Sequence, residues 1–440
     1  FIRRFSKKMP KKNNIFSNIR LKQILNDIKR RDKDAARELN ISEKEFERIL
    51  NGKKPISLEI INLMTKIWPI KISDLINPQI NDSEFIYVKN KISNKSARLM
   101  QRNGLDYYEY KDTATERNAP YKPEWIRTLC YVEDNKPNNK IVAWNKGHLL
   151  HQFTYFVGDV NFYYIKNGKK IVSIMNSGDS CYIPPYVPHS FTTRSKKGIS
   201  YIVAVTYEDK INLETQKELL NLSSLKNKKY LVKVSNYSNS QNQILNFLEN
   251  MCLSKDNLKE NLSIKEFDTK ISGKIDFSNN DLIKISKFLN INIREILPVK
   301  KETEVVVSKK VNYKKYFFPT PKNQIFNLFF LASSPNVPSS KGLELEVVKN
   351  NNKVFSISSH QYIYALVDSS SISINSKKIK MSYMETIYIK PFVKHSFTKV
   401  GSKFLILRID NKISGDIKIQ LSQMKPKDII RIESETSQWF

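Results

Sequence analysis

Hydrophobic positions follow two different spacings along this chain, and segments of the two kinds alternate. Around ISEKEF (41–46) apolar side chains recur as they do in short helices joined by tight turns. Around HQFTYFVGD (151–159) β-branched and aromatic residues alternate with other residues, and turn signals such as KNGKK follow. The pattern predicts a bundle of short helices followed by short antiparallel strands.

The helical pattern occurs twice. ISEKEF reappears as LSIKEF (262–267), and the glycine six residues further on recurs as well, first as Gly52 and then as Gly273. Each copy ends in a similar apolar stretch, IKISDLI in the first and LNINIREIL in the second. Such spacing is typical of a helix-turn-helix unit.

The strand pattern is repeated too. HQFTYFVGD (151–159) matches HQYIYALVD (360–368), an offset of 209 residues. PYVPHSFT (185–192) matches PFVKHSFT (391–398), an offset of 206 residues. Short antiparallel strands of this kind close most naturally into a double-stranded β-helix, or cupin barrel.

We therefore predict an α+β protein built as a tandem repeat of a helix-turn-helix unit plus a cupin (double-stranded β-helix) barrel. A helical linker is expected from about residue 208 to 245. The predicted domains are a helical domain at 15–80, a first barrel at 81–207, the linker helix and second helical domain at 208–300, and a second barrel at 301–440.

Composition adds only broad limits. The formal net charge of +31 fits either a compositional bias towards lysine, asparagine and isoleucine or an anionic ligand or partner. Three cysteines lie far apart, and no apolar run approaches the roughly 18–20 residues that a membrane span needs. We expect a cytoplasmic protein without a membrane segment.

All five histidines fall in the predicted barrels, which makes them candidate metal ligands. A strand places alternate residues on one face, so His148 and Gln152 are expected to face the barrel interior while His151 faces away. His189 lies in GDSCYIPPYVPHSF (178–191), which is close to the second sequence motif of cupins. The other two histidines are His360 and His395.

Two imidazoles and one oxygen donor leave open positions on a metal, as in non-haem iron oxygenases. Here the oxygen donor is the neutral amide of Gln152 rather than a carboxylate, so the site carries one more positive charge and suits an anionic substrate. The alternative is that His148 and His189 are packed side chains in a barrel without a metal.

The second copy serves as an internal control. The offset of 209 puts Ile357 where the first copy has His148, while His360, Gln361 and His395 persist. Isoleucine cannot bind a metal, so the second barrel is expected to be structural. His151 and His360 recur together, and we interpret them as packing residues.

Three segments carry a family resemblance: QRNGLDYYEY (101–110), WNKGHLLHQ (144–152) and YIPPYVPHSF (182–191). With the order of domains, they resemble the family of hydroxyethylphosphonate dioxygenases and methylphosphonate synthases over essentially the whole chain. The resemblance implies iron(II) in the first barrel only, held by His148, Gln152 and His189. It also implies a homo-oligomer.

The same resemblance assigns substrate-binding residues. It implies that a phosphonate group contacts Lys29, Arg102, Tyr110 and Asn145. The match around Lys29 depends on the helix pattern, so Arg30 or Lys33 can take its place. Each of the four also has an ordinary structural interpretation, and it is their combined spacing that favours binding.

The third ligand separates the two branches of the family. The dioxygenase has a glutamate where this chain has Ile183, and the synthase has a glutamine where this chain has Gln152. The resemblance therefore implies cleavage of 2-hydroxyethylphosphonate by O2 to methylphosphonate and CO2. The alternatives are a dioxygenase that releases hydroxymethylphosphonate and formate, and a helix-turn-helix/cupin transcription regulator. The regulator is disfavoured because two module pairs are fused and no array of base-reading side chains is evident.

Overall fold

The computed structural model describes residues 16–76, 83–207, 211, 213–224, 239–299, 304–338, 340–410, 413 and 415–434. The chain divides into two units, one from the described residues of Phe1–Ser83 and Ile413–Phe440 and the other from those of Glu84–Lys412. None of the described helices is long and apolar enough to cross a membrane.

The first unit contains a bundle of short helices. Three of its helices begin after a serine whose hydroxyl accepts a backbone N–H of the first turn, namely Ser17, Ser42 and Ser57. The elements are α1 (Asn18–Asp27), α2 (Asp32–Glu38), α3 (Glu43–Leu50), α4 (Leu58–Ile67) and a 3₁₀ turn at Ile72–Leu75. Leu21, Phe46, Ile61 and other buried apolar residues fill its centre.

A second helical segment lies in the other unit and has the same order of elements. After α5 (Asn90–Lys95) and α6 (Leu213–Ser224), it comprises α7 (Ser240–Asn250), α8 (Lys255–Asn261), α9 (Phe267–Ile271), α10 (Asn279–Phe288) and a 3₁₀ turn at Ile293–Ile296. Gly52 and Gly273 both follow the third helix of their set with positive φ, +69° and +80°. The predicted linker helix is present as α6, and residues 225–238 lie outside the described part.

Two antiparallel sheets form what we call the first sheet pair, and they pack around one apolar cluster that includes Phe156, Phe162 and Phe191. The seven-stranded sheet has the order β11-β8-β5-β10-β4-β3-β2, and the three-stranded sheet the order β7-β6-β9. The strands of this sheet pair are β2 (Arg98–Arg102), β3 (Leu105–Asp112), β4 (Tyr121–Thr128), β5 (His151–Val157), β6 (Val160–Lys166), β7 (Lys169–Met175), β8 (Ser180–Ile183), β9 (His189–Thr193), β10 (Tyr201–Tyr207) and, from later in the chain, β11 (Val306–Ser308).

The second sheet pair repeats this arrangement around a cluster that includes Ile363, Phe397 and Phe404. The orders are β1-β18-β15-β20-β14-β13-β12 and β17-β16-β19. Its strands, apart from β1, are β12 (Lys315–Pro319), β13 (Gln324–Phe330), β14 (Lys341–Val347), β15 (His360–Ala365), β16 (Ser370–Ile374), β17 (Lys377–Met381), β18 (Thr386–Ile389), β19 (His395–Phe397) and β20 (Lys403–Ile409). A 3₁₀ turn covers Lys310–Asn312, and two helices follow β20: α11 (Gly415–Ser422) and α12 (Pro426–Ser434).

The two halves exchange edge strands. β1 (Phe85–Val88) precedes the first sheet pair in sequence but pairs with β18 of the second. In return, β11 (Val306–Ser308) pairs with β8 of the first sheet pair. Each exchange covers an exposed sheet edge, which would otherwise offer unpaired backbone groups.

The large sheets also pack against each other through a shared aromatic layer. Alternate residues of β10 and β20, such as Val203 and Leu405, lie in one buried cluster with Tyr201 and Tyr364. The hydroxyls of these two tyrosines are 3.0 Å apart. Because each strand alternates its faces, the remaining residues of β5 and β10 face the interior of the first sheet pair.

Candidate metal centre

The turn before β5 brings His148 next to Gln152. His148 Nε2 lies 3.1 Å from Gln152 Oε1, and its Nδ1 lies 2.8 Å from the Leu150 carbonyl oxygen. The turn passes close to the backbone of Tyr186, and this requires a glycine at position 147. Gly147 has φ +75°, and an added Cβ would lie 2.5 Å from the Tyr186 carbonyl carbon. The prediction that His148 lies on the strand is wrong, since β5 begins at His151.

His189 opens β9 and faces the same space. Its ring centroid lies 5.4 Å from that of His148, with the two planes perpendicular. Its Nδ1 lies 2.8 Å from the Val187 carbonyl oxygen. Burial, together with the positive charge of Arg102, lowers the pKa of His189 to about 4, so the imidazole is neutral at pH 7.

The donor set fits a divalent metal. In both rings Nδ1–H donates to a backbone carbonyl, which leaves the lone pair on Nε2 for a metal. Gln152 is 5 % exposed, and its Nε2 donates to Thr154 Oγ1 at 2.9 Å, which turns Oε1 towards His148. No group of three His, Cys, Asp or Glu side chains in the described residues is arranged for a metal, and the oxygen that lies beside His148 Nε2 is the amide oxygen of Gln152.

Asn145 binds directly to His189. Its Oδ1 accepts the backbone N–H groups of His189 at 2.8 Å and Gly147 at 3.0 Å, and its Nδ2 lies 3.0 Å from His189 Nε2. Asn145 therefore holds the turn that carries His148 and presents an amide beside the imidazole.

Arg102 and Tyr110 lie on the adjacent strands β2 and β3, and both approach the ring of Tyr108. The guanidinium of Arg102 stacks 4.9 Å from the centroid of Tyr108 and donates to the Ala143 carbonyl at 3.2 Å. The Tyr110 ring lies 5.9 Å from that of Tyr108, and burial raises the pKa of its phenol above its ordinary value. Arg102 is close enough to His189 to contribute to the lowering of its pKa, and Tyr110 keeps its phenolic proton at neutral pH.

Ile183 occupies the strand next to the candidate ligand. It is the cross-strand partner of Gln152 and is 0 % exposed, so a hydrocarbon side chain fills the place where an acid would bring a second oxygen donor. Of this cross-strand pair, only Gln152 can offer an oxygen ligand.

Lys29 lies in the first unit, directly after α1. It has a positive φ of 56°, and its Nζ lies 3.0 Å from the Asn26 carbonyl oxygen. Arg30 forms an ion pair with Glu38 at 3.0 Å. Lys29 thus lies just beyond the C-terminal end of α1, and its ammonium group donates back to a carbonyl of that helix.

His151 and His360 pack in the same way in the two halves. His151 Nδ1 is 2.7 Å from the Tyr182 hydroxyl, and His360 Nδ1 is 2.8 Å from the Tyr388 hydroxyl. Each ring stacks on its tyrosine at 5.9 Å. Both histidines therefore serve the aromatic layer between the sheets.

The sequence reasoning missed two residues of the site. Thr154 orients the amide of Gln152, and the period-two alternation from Gln152 could have identified it. Glu124 lies on the same face of the sheet, with Ala204 between it and Thr154. Burial raises the pKa of Glu124, while Arg98 and His148 counter the shift.

The chain is similar to a known protein over nearly its whole length. No family model matches the sequence. The chain is 39% identical over 434 residues to the methylphosphonate synthase of Nitrosopumilus maritimus (strain SCM1), which covers 95% of this chain and 94% of that protein.

The chain also resembles solved structures of 2-hydroxyethylphosphonate dioxygenases (HEPD) over nearly its whole length. The fold matches that of Streptomyces albus HEPD, a protein solved with 2-hydroxyethylphosphonate and Fe(II) bound, with a TM-score of 0.87, 28% identity and coverage of 96% of this chain and 98% of that chain. A second 2-hydroxyethylphosphonate dioxygenase, at 16% identity, shares the fold with a TM-score of 0.76, covering 94% of this chain and 99% of that chain.

Proposed function

The chain belongs to the methylphosphonate synthase family, and we propose from this that it is an iron(II)-dependent dioxygenase that converts 2-hydroxyethylphosphonate and O2 into methylphosphonate, CO2 and water. The sum is balanced, because the substrate supplies all the electrons that O2 takes up. No additional reductant is required.

We assign iron(II) to His148, Gln152 and His189. Two neutral imidazoles and an amide oxygen form a donor set of the type that binds this ion with positions left open. Iron(II) held by these residues would supply the redox chemistry with O2. Because all three ligands are neutral, they leave the full ionic charge to attract the anionic phosphonate.

The remaining residues bind and orient the phosphonate. Arg102 presents fixed N–H donors at one side of the site, and its stack on Tyr108 holds the guanidinium in place. Tyr110 keeps its proton and can donate it in a hydrogen bond. Asn145 offers an amide beside His189. Lys29 from the helical unit completes the set in this proposal, as a positive charge for a phosphonate oxygen.

Gln152 opposite Ile183 is the observation that carries the choice of product. A carboxylate at either position would lower the charge of the site and add a second oxygen donor. The pairing of an amide with an isoleucine instead agrees with the 39% identity to the synthase. The second candidate is a dioxygenase that yields hydroxymethylphosphonate and formate, which is favoured by the structural likeness to HEPD.

The test is phosphorus NMR of the iron(II)-loaded full-length chain with 2-hydroxyethylphosphonate and O2. A methylphosphonate signal that grows with time supports the synthase. Hydroxymethylphosphonate as the main product would assign the chain to the dioxygenases, and unchanged substrate in an iron-loaded protein would refute both.

For the architecture, we propose that each sheet pair is a cupin barrel preceded by a helix-turn-helix-like bundle. The domains are 15–80, 81–207, 208–300 and 301–440, interlocked by the exchange of β1 and β11. The order of helices is the same in the two bundles, which supports this repeat. We further propose a cytoplasmic homo-oligomer without nucleic acid as a partner.

A further inference from the structure

Arg408 points into the interior of the second sheet pair. Along β20, Leu405 and Leu407 face the shared aromatic layer, while Phe404 and Ile406 belong to the inner cluster of the second sheet pair. The alternation of the strand therefore places the side chain of Arg408 on the inner face. An arginine in such a position is unusual, because burial of a charge is costly unless the charge is paired.

No protein group in the described residues pairs with this charge. Arg408 Nε is buried without a hydrogen-bond partner, and burial lowers the pKa of the guanidinium. Its cross-strand neighbour is Lys341, a second cation, whose Nζ lies 3.5 Å from Ser333 Oγ. Asp410, two residues further along the chain, is not among the groups that shift the pKa of Arg408.

The groups around Arg408 are also incompletely satisfied. Gln361 lies directly opposite it on β15, and Gln361 Oε1 is buried without a partner. Gln361 Nε2 is 3.4 Å from His395 Nε2, and His395 Nδ1 is held by the Val393 carbonyl at 2.9 Å. On the other side of Gln361 lies Ile389. The interior thus offers one cation, one amide and one imidazole within an apolar surround.

Water could satisfy the hydrogen bonds of this group but not its charge. The partly buried guanidinium of Arg408 has no counter-ion among the described residues, and a carboxylate would match its planar fork with two parallel N–H···O bonds. A half-turn of the Gln361 amide exchanges its oxygen and nitrogen and offers a further donor to the same anion. Apolar side chains occupy the rest of this interior, so an anion beside Arg408 must be small.

We propose that the interior of the second sheet pair binds a small monocarboxylate, with Arg408 as its counter-charge and Gln361 and His395 as flanking polar groups. The site is separate from the metal centre, because every residue that forms it belongs to β15, β19 or β20. It does not depend on the iron chemistry proposed above.

The probe is ¹⁴C-labelled acetate, measured by equilibrium dialysis against the full-length, iron-loaded chain at constant ionic strength set with sodium chloride. We expect one saturable equivalent per chain. Arg408→Met should weaken binding roughly 10-fold or more, since it removes charge-assisted hydrogen bonds. Lys341→Met is the matched control for a general loss of positive charge and should change the affinity much less.

His148→Ala separates the two sites: acetate binding that persists in this variant does not belong to the metal centre. Absence of saturable binding in the wild-type chain would overturn the proposal. So would equal affinity in Arg408→Met, an equal loss in Lys341→Met, or loss in His148→Ala.

Thermal unfolding keeps the proposal testable if a variant is less stable. Acetate should raise the Tm of the wild-type chain by mass action and leave that of Arg408→Met unchanged. Methionine replaces an unpaired buried charge, so without acetate the variant should unfold at or above the wild-type temperature. An acetate-dependent Tm in Arg408→Met would contradict the assignment.

Discussion

The two sheet pairs have the same framework but differ at three positions inside it. In both, a histidine at the start of a short strand is fixed by a backbone carbonyl, His189 by Val187 and His395 by Val393. The backbone contact that holds His148 also recurs. Tyr186 N–H donates to its carbonyl at 2.8 Å, and in the second half Phe392 N–H donates to Ile357 at 2.7 Å. The frame therefore places an isoleucine where the first half has a ligand.

The other two differences lie beside the shared histidine and opposite the shared glutamine. In the second half an apolar residue replaces the polar partner of the histidine, and a charged residue stands opposite the glutamine. The backbone N–H that contacts the histidine carbonyl comes from Asn145 in the first half and from Phe355 in the second, whose ring stacks on His395 at 5.9 Å. Opposite the shared glutamine stands Thr206 in the first half and Arg408 in the second. The interior of the second sheet pair thus contains a positively charged side chain, Arg408, next to its glutamine.

The comparison teaches that the fold supplies positions and that individual side chains determine the chemistry. A glutamine and a histidine persist in both interiors, yet only the first half also has His148. A single hydrocarbon side chain in that position is enough to remove one of the three donors.

The largest effect is expected at the two glutamines. Gln152→Ala removes the amide oxygen beside His148 and should lower turnover by more than about 100-fold, since even residues that only orient ligands cost 10–100-fold. Gln361→Ala should leave turnover within about 2-fold. Phosphorus NMR of both variants measures their turnover rates. Similar losses of turnover in the two variants would show that both sheet pairs contribute to catalysis.

A smaller effect is expected from the residue that orients Gln152. Thr154→Val keeps the volume but removes the hydroxyl that accepts from Gln152 Nε2, so turnover should fall roughly 10–100-fold. The repeat places Ile363 at the corresponding position, and Ile363→Val is the matched control. Circular dichroism would check that both variants fold, and an unaltered rate in Thr154→Val would mean that the amide needs no such support.

The smallest effect is on stability and concerns the second half. Burial lowers the pKa of His360 to about 4 and also lowers that of His395. The unfolded chain takes up these protons near pH 6.5, whereas the folded chain does not. Folding stability should therefore be lost as the pH falls below about 6.5, with the loss from His360 continuing towards pH 4, and by no more than about 1.4 kcal/mol per pH unit for each histidine.

Chemical denaturation at pH 7 and pH 5 measures this loss. His395→Asn should show a smaller difference between the two values than the wild-type chain, because one proton-linked group is gone. An identical pH dependence in the variant would exclude His395 as a contributor.

Local sequence pattern predicted much of this molecule for a physical reason. Period-two alternation identifies inner and outer faces, so the inward Gln152 and the packed His151 could both be predicted. The repeat offset identified Ile357 as the counterpart of His148. Both signals depend only on nearby residues or on a comparison within the chain.

Other features depend on distant contacts and could not be predicted in this way. The exchange of β1 and β11 pairs strands separated by some 300 and 120 residues, which no local pattern encodes. His148 reaches the site from a turn fixed by Gly147 and Tyr186 rather than from a strand. Arg408 follows the inward alternation of β20, but its lack of a partner became visible only in three dimensions.

The central claim is that one chain holds one iron, in the first sheet pair. The most direct measurement is the iron(II) content per chain after loading and desalting, for the wild-type protein, His148→Ile and His395→Ala. We expect one equivalent in the wild-type protein and in His395→Ala, and close to none in His148→Ile. Two equivalents in the wild-type chain, or loss of iron in His395→Ala with retention in His148→Ile, would contradict it.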